Sequence, residues 1–163
     1  MYSIRVEGDT RELLSKLKGW SELDRGKLNG ALGESVREST LERFKQSRGP
    51  DGKRWKTSIR AASEGGATLI KTAQLRNSIR TKADATGFAV GTNVKHAATH
   101  QFGAEGRVIE AKKAKALRFN IGGRWISKKK VKVNIPARPY LGLDDDDMEE
   151  IKGQIEDFVS KEV

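Results

Sequence analysis

Three short segments in which apolar and polar residues alternate constrain the fold of this chain more than any other feature. Their apolar members are Leu117, Phe119, Ile121, Trp125, Ile126, Val131, Val133 and Ile135. A period of two is typical of a half-buried strand, and the glycine pair at 122–123 supplies a turn between the first two segments. The region therefore predicts a β-hairpin or meander. Its basic outer edge consists of Lys128, Lys129, Lys130 and Lys132.

Helical periodicity on both sides of this region predicts the helices that cover the sheet. A long helix is expected over about 22–46, because apolar residues recur there at multiples of four. A second helix over 69–79 places Leu75 and Ile79 on one face. The last helix begins at four aspartates, 144–147, where the helix dipole favours negative charge. Its apolar stripe consists of Met148, Ile151, Ile155, Phe158 and Val159.

The segments together predict an α+β fold. A short strand at 2–7 and a helix after an N-cap at Asp9 precede the long helix. The sheet is expected to be mainly antiparallel, with about four or five strands packed by two or three helices. The whole chain, 1–163, is expected to form a single domain with mobile loops.

Two segments are predicted to be flexible loops. The first covers about 47–68, where Pro50 and the following Asp-Gly pair favour a tight turn and Trp55 can anchor the loop to the body. The second covers 104–116, which combines weak periodicity with high charge and is expected to form an exposed loop or arm.

The net charge of +10 is unevenly distributed. Residues 144–163 contain nine acids and two lysines, a net of −7, so residues 1–143 carry +17. This pattern favours either proximity to nucleic acid or binding of the acidic tail to the basic face of a neighbouring copy, with solubility as the third interpretation. The sequence has no apolar run long enough for a transmembrane helix, so no membrane contact is predicted.

Both histidines lie in one short segment, four residues apart, as in a zinc-binding helix. A zinc hydrolase needs a glutamate after the first histidine as general base, but Ala97 follows His96 here. The chain offers neither a third histidine nor a cysteine to complete the ligands with His100. The sequence therefore predicts no metal, no cofactor and no catalytic residue, and a metal-dependent hydrolase is the least favoured hypothesis. The turn that ends at Gly103 leaves Phe102 to fill a core or a neighbour's pocket.

The segment Arg138-Pro139-Tyr140-Leu141 is the best candidate for a protein interface. Prolines on either side of Arg138 lower its conformational entropy, and Arg and Tyr are favoured interface anchors. The alternative is that the segment only threads the chain from the sheet to the last helix, with Tyr140 and Leu141 buried. Both interpretations remain open at this point.

Several pieces, taken in order, resemble the phage virion morphogenesis family, the tail-completion proteins of Mu-like and related tailed phages. They are FKQSRGPDGKRW at 44–55, LIKTAQLRNSI at 69–79 followed by GFAVGTNVKHAATHQFG at 87–103, and VNIPARPYLGL at 133–143. The resemblance covers most of residues 28–160. One departure is Ala73, where the family pattern has glycine; we expect this change only to stiffen the helix.

The resemblance implies a structural protein of the virion and not an enzyme. Such proteins act in tail completion or head–tail joining, often as rings of about six subunits around the DNA channel. The implied partners are further copies of the chain, tail tube or terminator proteins, and neck or connector proteins. In a channel, the lysines at 128, 129, 130 and 132 would contact genomic DNA without reading bases. The implied location is the virion, after assembly in the bacterial host cytoplasm; the alternative is a basic nucleic-acid-binding module.

Overall fold

The computed structural model describes residues 18–19, 23–112, 114–121 and 123–162. The strand predicted at 2–7 and the N-cap predicted at Asp9 lie outside these residues. The helices are α1 (Arg25–Gln46), α2 (Ile59–Glu64), α3 (Gln74–Asn77), α4 (Ala97–Phe102) and α5 (Asp145–Glu162). The strands are β1 (Arg80–Asp84), β2 (Gly87–Gly91), β3 (Ala104–Glu110), β4 (Leu117–Ile121), β5 (Arg124–Lys128) and β6 (Lys130–Ile135).

The long helix α1 confirms the prediction from its four-residue repeat. It begins at Asp24, whose side chain accepts a hydrogen bond from the Lys27 backbone N–H at 2.9 Å, as an N-cap does. Its buried face follows the same repeat through Leu32, Val36, Thr40 and Phe44. The hydroxyl of Thr40 donates to the Val36 carbonyl at 2.9 Å, so the polar residue on this face is satisfied within the helix.

Helix α1 packs on the hairpin of β1 and β2 through a close approach at Gly33. A Cβ at Gly33 would lie 3.3 Å from the Phe88 Cβ and still closer to the Thr81 side chain. The Thr81 hydroxyl donates to the Gly33 carbonyl at 3.2 Å. The absence of a side chain on this glycine therefore sets the distance between helix and hairpin.

The strands pair antiparallel, and the α+β class predicted from the sequence is confirmed. They form three two-stranded sheets, β1–β2, β3–β6 and β4–β5, and not one sheet of four or five strands. The difference arises because β6 pairs with β3, an earlier segment of the chain, and not with β5. The predicted hairpin at 117–128 is present as β4 and β5.

Residues 104–110 form strand β3, so the prediction of a loop was wrong for this part of the chain. The strand is mostly exposed, which explains its charged composition and its weak periodicity. Glu110 lies opposite Lys130 in the register, and their side chains form an ion pair at 2.6 Å. Opposite charges across a strand pair support the register that brings β3 to β6.

The helix predicted over 69–79 is shorter than expected. Only α3 is helical there, because Leu69 and Ala73 adopt positive φ angles of 64° and 55°. The prediction that Ala73 would stiffen a helix was wrong, since it lies at the N-cap of α3 in the left-handed conformation. Leu75 and Ile79 are nevertheless buried together, as their spacing predicted.

The predicted loop at 47–68 contains the short helix α2, which begins after Ser58. The Ser58 hydroxyl accepts a hydrogen bond from the Ala61 backbone N–H at 3.2 Å, which caps the helix. Ala61 is buried, and Ile59, in the same turn, is 72% exposed.

The last helix, α5, begins where the aspartate run predicted. Asp144 and Asp147 exchange hydrogen bonds, since each carboxylate accepts from the other's backbone N–H at 2.9 and 3.0 Å. The predicted apolar stripe is only partly covered: Met148 and Ile155 are exposed. Among the described helices, none combines the length and apolar character that crossing a bilayer requires.

Candidate assembly surface

The segments that carry the family resemblance meet in one cluster. Its buried members are Phe44, Trp55, Leu75, Ile79, Ala97 and Tyr140. The ring of Phe44 lies edge-on to Trp55, with centroids 5.5 Å apart, and 5.1 Å from Tyr140 in a tilted arrangement. Both are favourable aromatic geometries. We call Phe44, Trp55 and Tyr140 the aromatic core.

Trp55 anchors the loop after α1 to the C-terminal part of the chain, as the sequence predicted. Its ring is buried, and Nε1 donates to the Pro139 carbonyl at 2.8 Å. Its backbone N–H donates to the Ser47 carbonyl at 2.8 Å, which closes the loop. An indole with a satisfied N–H can be buried without an unpaired donor.

Gln101 holds the segment 138–141 against α4. Its side-chain oxygen accepts from the backbone N–H groups of Tyr140 and Leu141 at 3.0 and 3.1 Å. Its side-chain nitrogen donates to the Leu141 carbonyl at 2.9 Å. The amide therefore satisfies backbone groups that would pair with a neighbouring strand in a sheet. At Gly103, where φ is 77°, a Cβ would lie 2.8 Å from the Ala137 nitrogen. These contacts fix the turn that ends at Gly103 against the segment 137–141.

Arg43 joins α1 to the start of α5. The guanidinium donates to the Gly142 carbonyl at 2.6 Å and pairs with Asp144 at 2.9 Å and with Asp147. Burial opposes the charge of Asp144, but hydrogen bonds from the Asp147 backbone N–H and from Arg43 outweigh it and lower the pKa of Asp144. Sequence reasoning missed Arg43; the available signal was a cation next to the apolar face of α1 and an aspartate run later in the chain.

The sequence model of the phage virion morphogenesis family matches residues 6–160, nearly the whole chain. The chain belongs to the phage virion morphogenesis family. The resemblance inferred from the motifs is thereby confirmed, and the protein has a structural or assembly role in a phage virion. The comparisons with curated proteins and with solved structures found no match to the chain.

Two of the interface residues predicted for this virion morphogenesis protein are buried within its own chain. Arg138 is 6% exposed and Tyr140 is 1% exposed. The other two residues of the segment, Pro139 and Leu141, are half-buried. This placement fits the alternative in which the segment threads the chain from sheet to last helix. A role of these four residues at an interface stays a prediction.

Phe102 lies on the surface of the virion morphogenesis protein. Its side chain is 79% exposed, although its neighbour Gln101 is tied into the aromatic core. Of the two roles considered for Phe102, filling its own core is therefore excluded. Contact with a neighbouring molecule stays a prediction.

The basic hairpin, residues 117–132, presents a second exposed surface. All four predicted channel-lining residues are exposed: Lys128, Lys129, Lys130 and Lys132. Lys128 ends β5, whereas Lys130 and Lys132 lie on β6, which pairs with β3. Trp125 is 69% exposed, and the Arg118 guanidinium carbon lies 5.7 Å from its ring centroid. That distance is suitable for a cation–π contact between the two side chains.

The two histidines of the virion morphogenesis protein lie together, with ring centroids 5.5 Å apart. Burial lowers the pKa of His100, and the positive charges of His96 and Arg138 lower it further. Such surroundings repel a metal cation. No group of three or more histidine, aspartate or glutamate side chains is placed to hold a metal anywhere in the described residues.

Proposed function

We propose that this protein is an assembly factor for phage tail completion or head–tail joining. It works by binding further copies of itself and other particle proteins, as a ring around the DNA channel. The observation that carries the proposal is the exposure of Phe102, at 79%, beside a turn fixed by Gln101. A large apolar side chain exposed to water is typical of a surface that a partner covers.

The aromatic core supports an assembly role and not a catalytic one. The side chains of the family-like segments are used to pack against one another, and Gln101 and Arg43 are used to bind backbone and carboxylates. Segments held by such contacts are suited to docking, because they lose less conformational entropy on binding than unanchored ones. We therefore expect no turnover of a substrate.

The charge distribution supports contact between copies. Residues 144–163 carry a net −7 and the preceding part of the chain +17. Exposed carboxylates on α5, such as Asp145 and Glu149, and exposed lysines on the basic hairpin lie on different elements. Two different, complementary faces generate a head-to-tail contact, which closes into a ring when the rotation per subunit allows it.

A second candidate function is non-specific contact with DNA. The exposure of all four lysines, at 128, 129, 130 and 132, favours it. Phosphates would be bound by charge alone, without base recognition. This contact and the assembly role are compatible if the basic hairpin faces the channel.

The test is complementation of a phage or prophage that lacks this gene. Phe102→Ser is expected to yield a folded protein with a reduced number of copies in purified particles and a lower titre. The matched control is Ile59→Ser, which removes a similar exposed apolar side chain elsewhere on the surface. Intact infectious particles formed without any copy of the protein would overturn the proposal.

A further inference from the structure

A cavity of about 350 Å3 lies between α3, α4 and the segment that contains Arg138. Its charged and titratable lining residues are all basic: Arg60, Lys71, His96, His100 and Arg138. No aspartate or glutamate of the described residues lines it. We call it the cationic cavity.

The two buried arginines of the described chain differ in their partners. Arg43 is 3% exposed and binds two carboxylates. Arg138 is 6% exposed, but its side chain uses only Nε, which donates to the Lys56 carbonyl at 2.8 Å. Its two terminal nitrogens have no hydrogen-bond or ion-pair partner within the described residues. Unlike Arg43 Nε, these nitrogens are not fully buried, so they are open to the cavity that Arg138 lines and can bind an anion there.

His100 lines the same cavity as Arg138. Its Nδ1 is buried and has no hydrogen-bond partner among the described residues. The backbone N–H of Arg138 donates to the His100 carbonyl at 2.7 Å, which fixes the two residues side by side. Lys71 adds an exposed ammonium at the rim, whereas Arg60 is already bonded to the carbonyls of Gly65 and Ala67.

We propose that the cationic cavity binds a carboxylate, and that this carboxylate is a side chain from α5 of a second copy. The proposal rests on the self-association proposed above. A guanidinium with both terminal nitrogens available matches a carboxylate in two parallel hydrogen bonds. Asp145, Asp146 and Glu149 are exposed, and their carboxylates have no hydrogen bond or ion pair to any described residue.

The recessed position of Arg138 favours a side-chain carboxylate over a phosphate of duplex DNA. A phosphate in a duplex is held between its neighbours on a convex surface, so it meets exposed lysines first. An acidic side chain projects from its helix, so its carboxylate can enter a cavity. The carboxylate binds the recessed Arg138 guanidinium, and the Lys71 ammonium at the rim lies beside the same carboxylate.

The cavity itself is tested by NMR of the full chain, because its two histidines give an unambiguous imidazole spectrum. Sodium acetate, the probe for a carboxylate, is titrated against sodium chloride at equal ionic strength. We expect saturable shifts of the His100 resonances and a rise of its pKa, since a bound anion offsets the neighbouring positive charges. Lys71→Gln, at an exposed position, should weaken this effect. Unchanged His100 signals, or shifts with inorganic phosphate but none with acetate, would overturn the carboxylate site.

The source of the carboxylate is tested by charge reversal in the full chain. Two variants are compared. One carries Lys71→Glu, and the other carries three changes together: Asp145→Lys, Asp146→Lys and Glu149→Lys. Each variant should weaken the association of copies by about tenfold or more. A mixture of the two variants should associate better than either one, by sedimentation velocity. Glu156→Lys with Asp157→Lys, farther along α5, is the matched control and should have a smaller effect.

The outcomes separate this inference from the proposed function. If the wild-type protein does not associate or enter particles, the proposed function fails, while the acetate titration still decides whether the cavity binds a carboxylate. If copies associate and charge reversal has no more effect than the control, the assignment to α5 is wrong and the assembly role stands. Association of the mixed variants supports both.

Discussion

Arg43 and Asp147 form a buried ion pair that joins the end of α1 to the first turn of α5. Their side chains are 4% and 5% exposed. Asp144 binds the same guanidinium and caps α5 by accepting from the Asp147 backbone N–H. The aspartate run therefore does more than complement the helix dipole, because it ties two distant helices together through one arginine.

Replacing Arg43 by Met should destabilise the protein strongly. The change leaves the Asp147 carboxylate buried without its partner, and the expected loss in free energy of unfolding is about 3 to 5 kcal/mol. Urea unfolding followed by circular dichroism measures it. Lys45→Met is the control on the same helix: its ion pair with Glu42 is exposed and screened by water, so its loss should have little effect on stability. Equal effects of the two changes would contradict the role assigned to Arg43.

The stability of the protein should fall at acid pH in part through Asp144. Its pKa in the folded protein is lowered from the ordinary value of 3.8. The carboxylate therefore stabilises the fold fully above its ordinary pKa, and this contribution is lost as pH falls through the lowered folded value. Asp144→Asn should flatten the dependence of the unfolding free energy on pH in that acid range. Asp146→Asn is the control, because it removes a carboxylate at the same helix end that makes no side-chain hydrogen bond to a described residue. It should leave the dependence of the unfolding free energy on pH closer to that of the wild type.

Ala73→Gly should stabilise the protein. Ala73 has φ of 55°, a left-handed conformation that strains an L-residue and that glycine adopts freely. The family pattern has glycine at this position, and we expect a gain of about 1 kcal/mol in the free energy of unfolding. Ala98→Gly is the control with the opposite sign, because Ala98 lies inside the right-handed helix α4 and should lose about 0.5 to 1 kcal/mol. Loss of stability in both variants would show that φ at position 73 is not the limiting factor.

The parts of the fold that follow from local pattern were predictable from the sequence. The four-residue repeat of α1 and the alternation in β4 and β5 each determine which face is buried. Strand β3 was not predictable, because its exposed, charged residues acquire a strand conformation only through pairing with β6. The same holds for the positive φ of Ala73, which its own sequence disfavours and the surrounding packing imposes.

The candidate surfaces divide in a similar way. Arginine and tyrosine are typical of interfaces, but Arg138 and Tyr140 pack within the chain because Gln101 and Trp55 hold that segment from both sides. A residue type alone does not distinguish a core anchor from an interface anchor. The cationic cavity was invisible in the sequence, since Lys71, His100 and Arg138 come from three separate segments.

Contact between the basic hairpin and DNA predicts a specific dependence on salt. Replacing Lys128, Lys129, Lys130 and Lys132 by Gln removes four exposed charges. Lys130 is already paired with Glu110, so the other three can each release a counterion from a phosphate. The slope of the logarithm of the binding constant against the logarithm of salt concentration should then become shallower by about 3. Fluorescence anisotropy with duplexes of unrelated sequence measures this slope. The loss should be equal for all of them, because phosphate contacts carry no base information.

The matched control for this experiment lies on α5. Lys152→Gln with Lys161→Gln removes exposed charges from the acidic helix, where DNA is repelled by the neighbouring carboxylates. This variant should keep the wild-type slope. Trp125→Ala should leave both the affinity and the slope for a duplex close to those of the wild type, because the bases of a duplex are stacked on one another and only its phosphates are bound. A slope that is insensitive to the four lysines, or that changes equally in the α5 variant, would place the DNA contact elsewhere. The basic hairpin would then protect an exposed sheet edge and not line a channel.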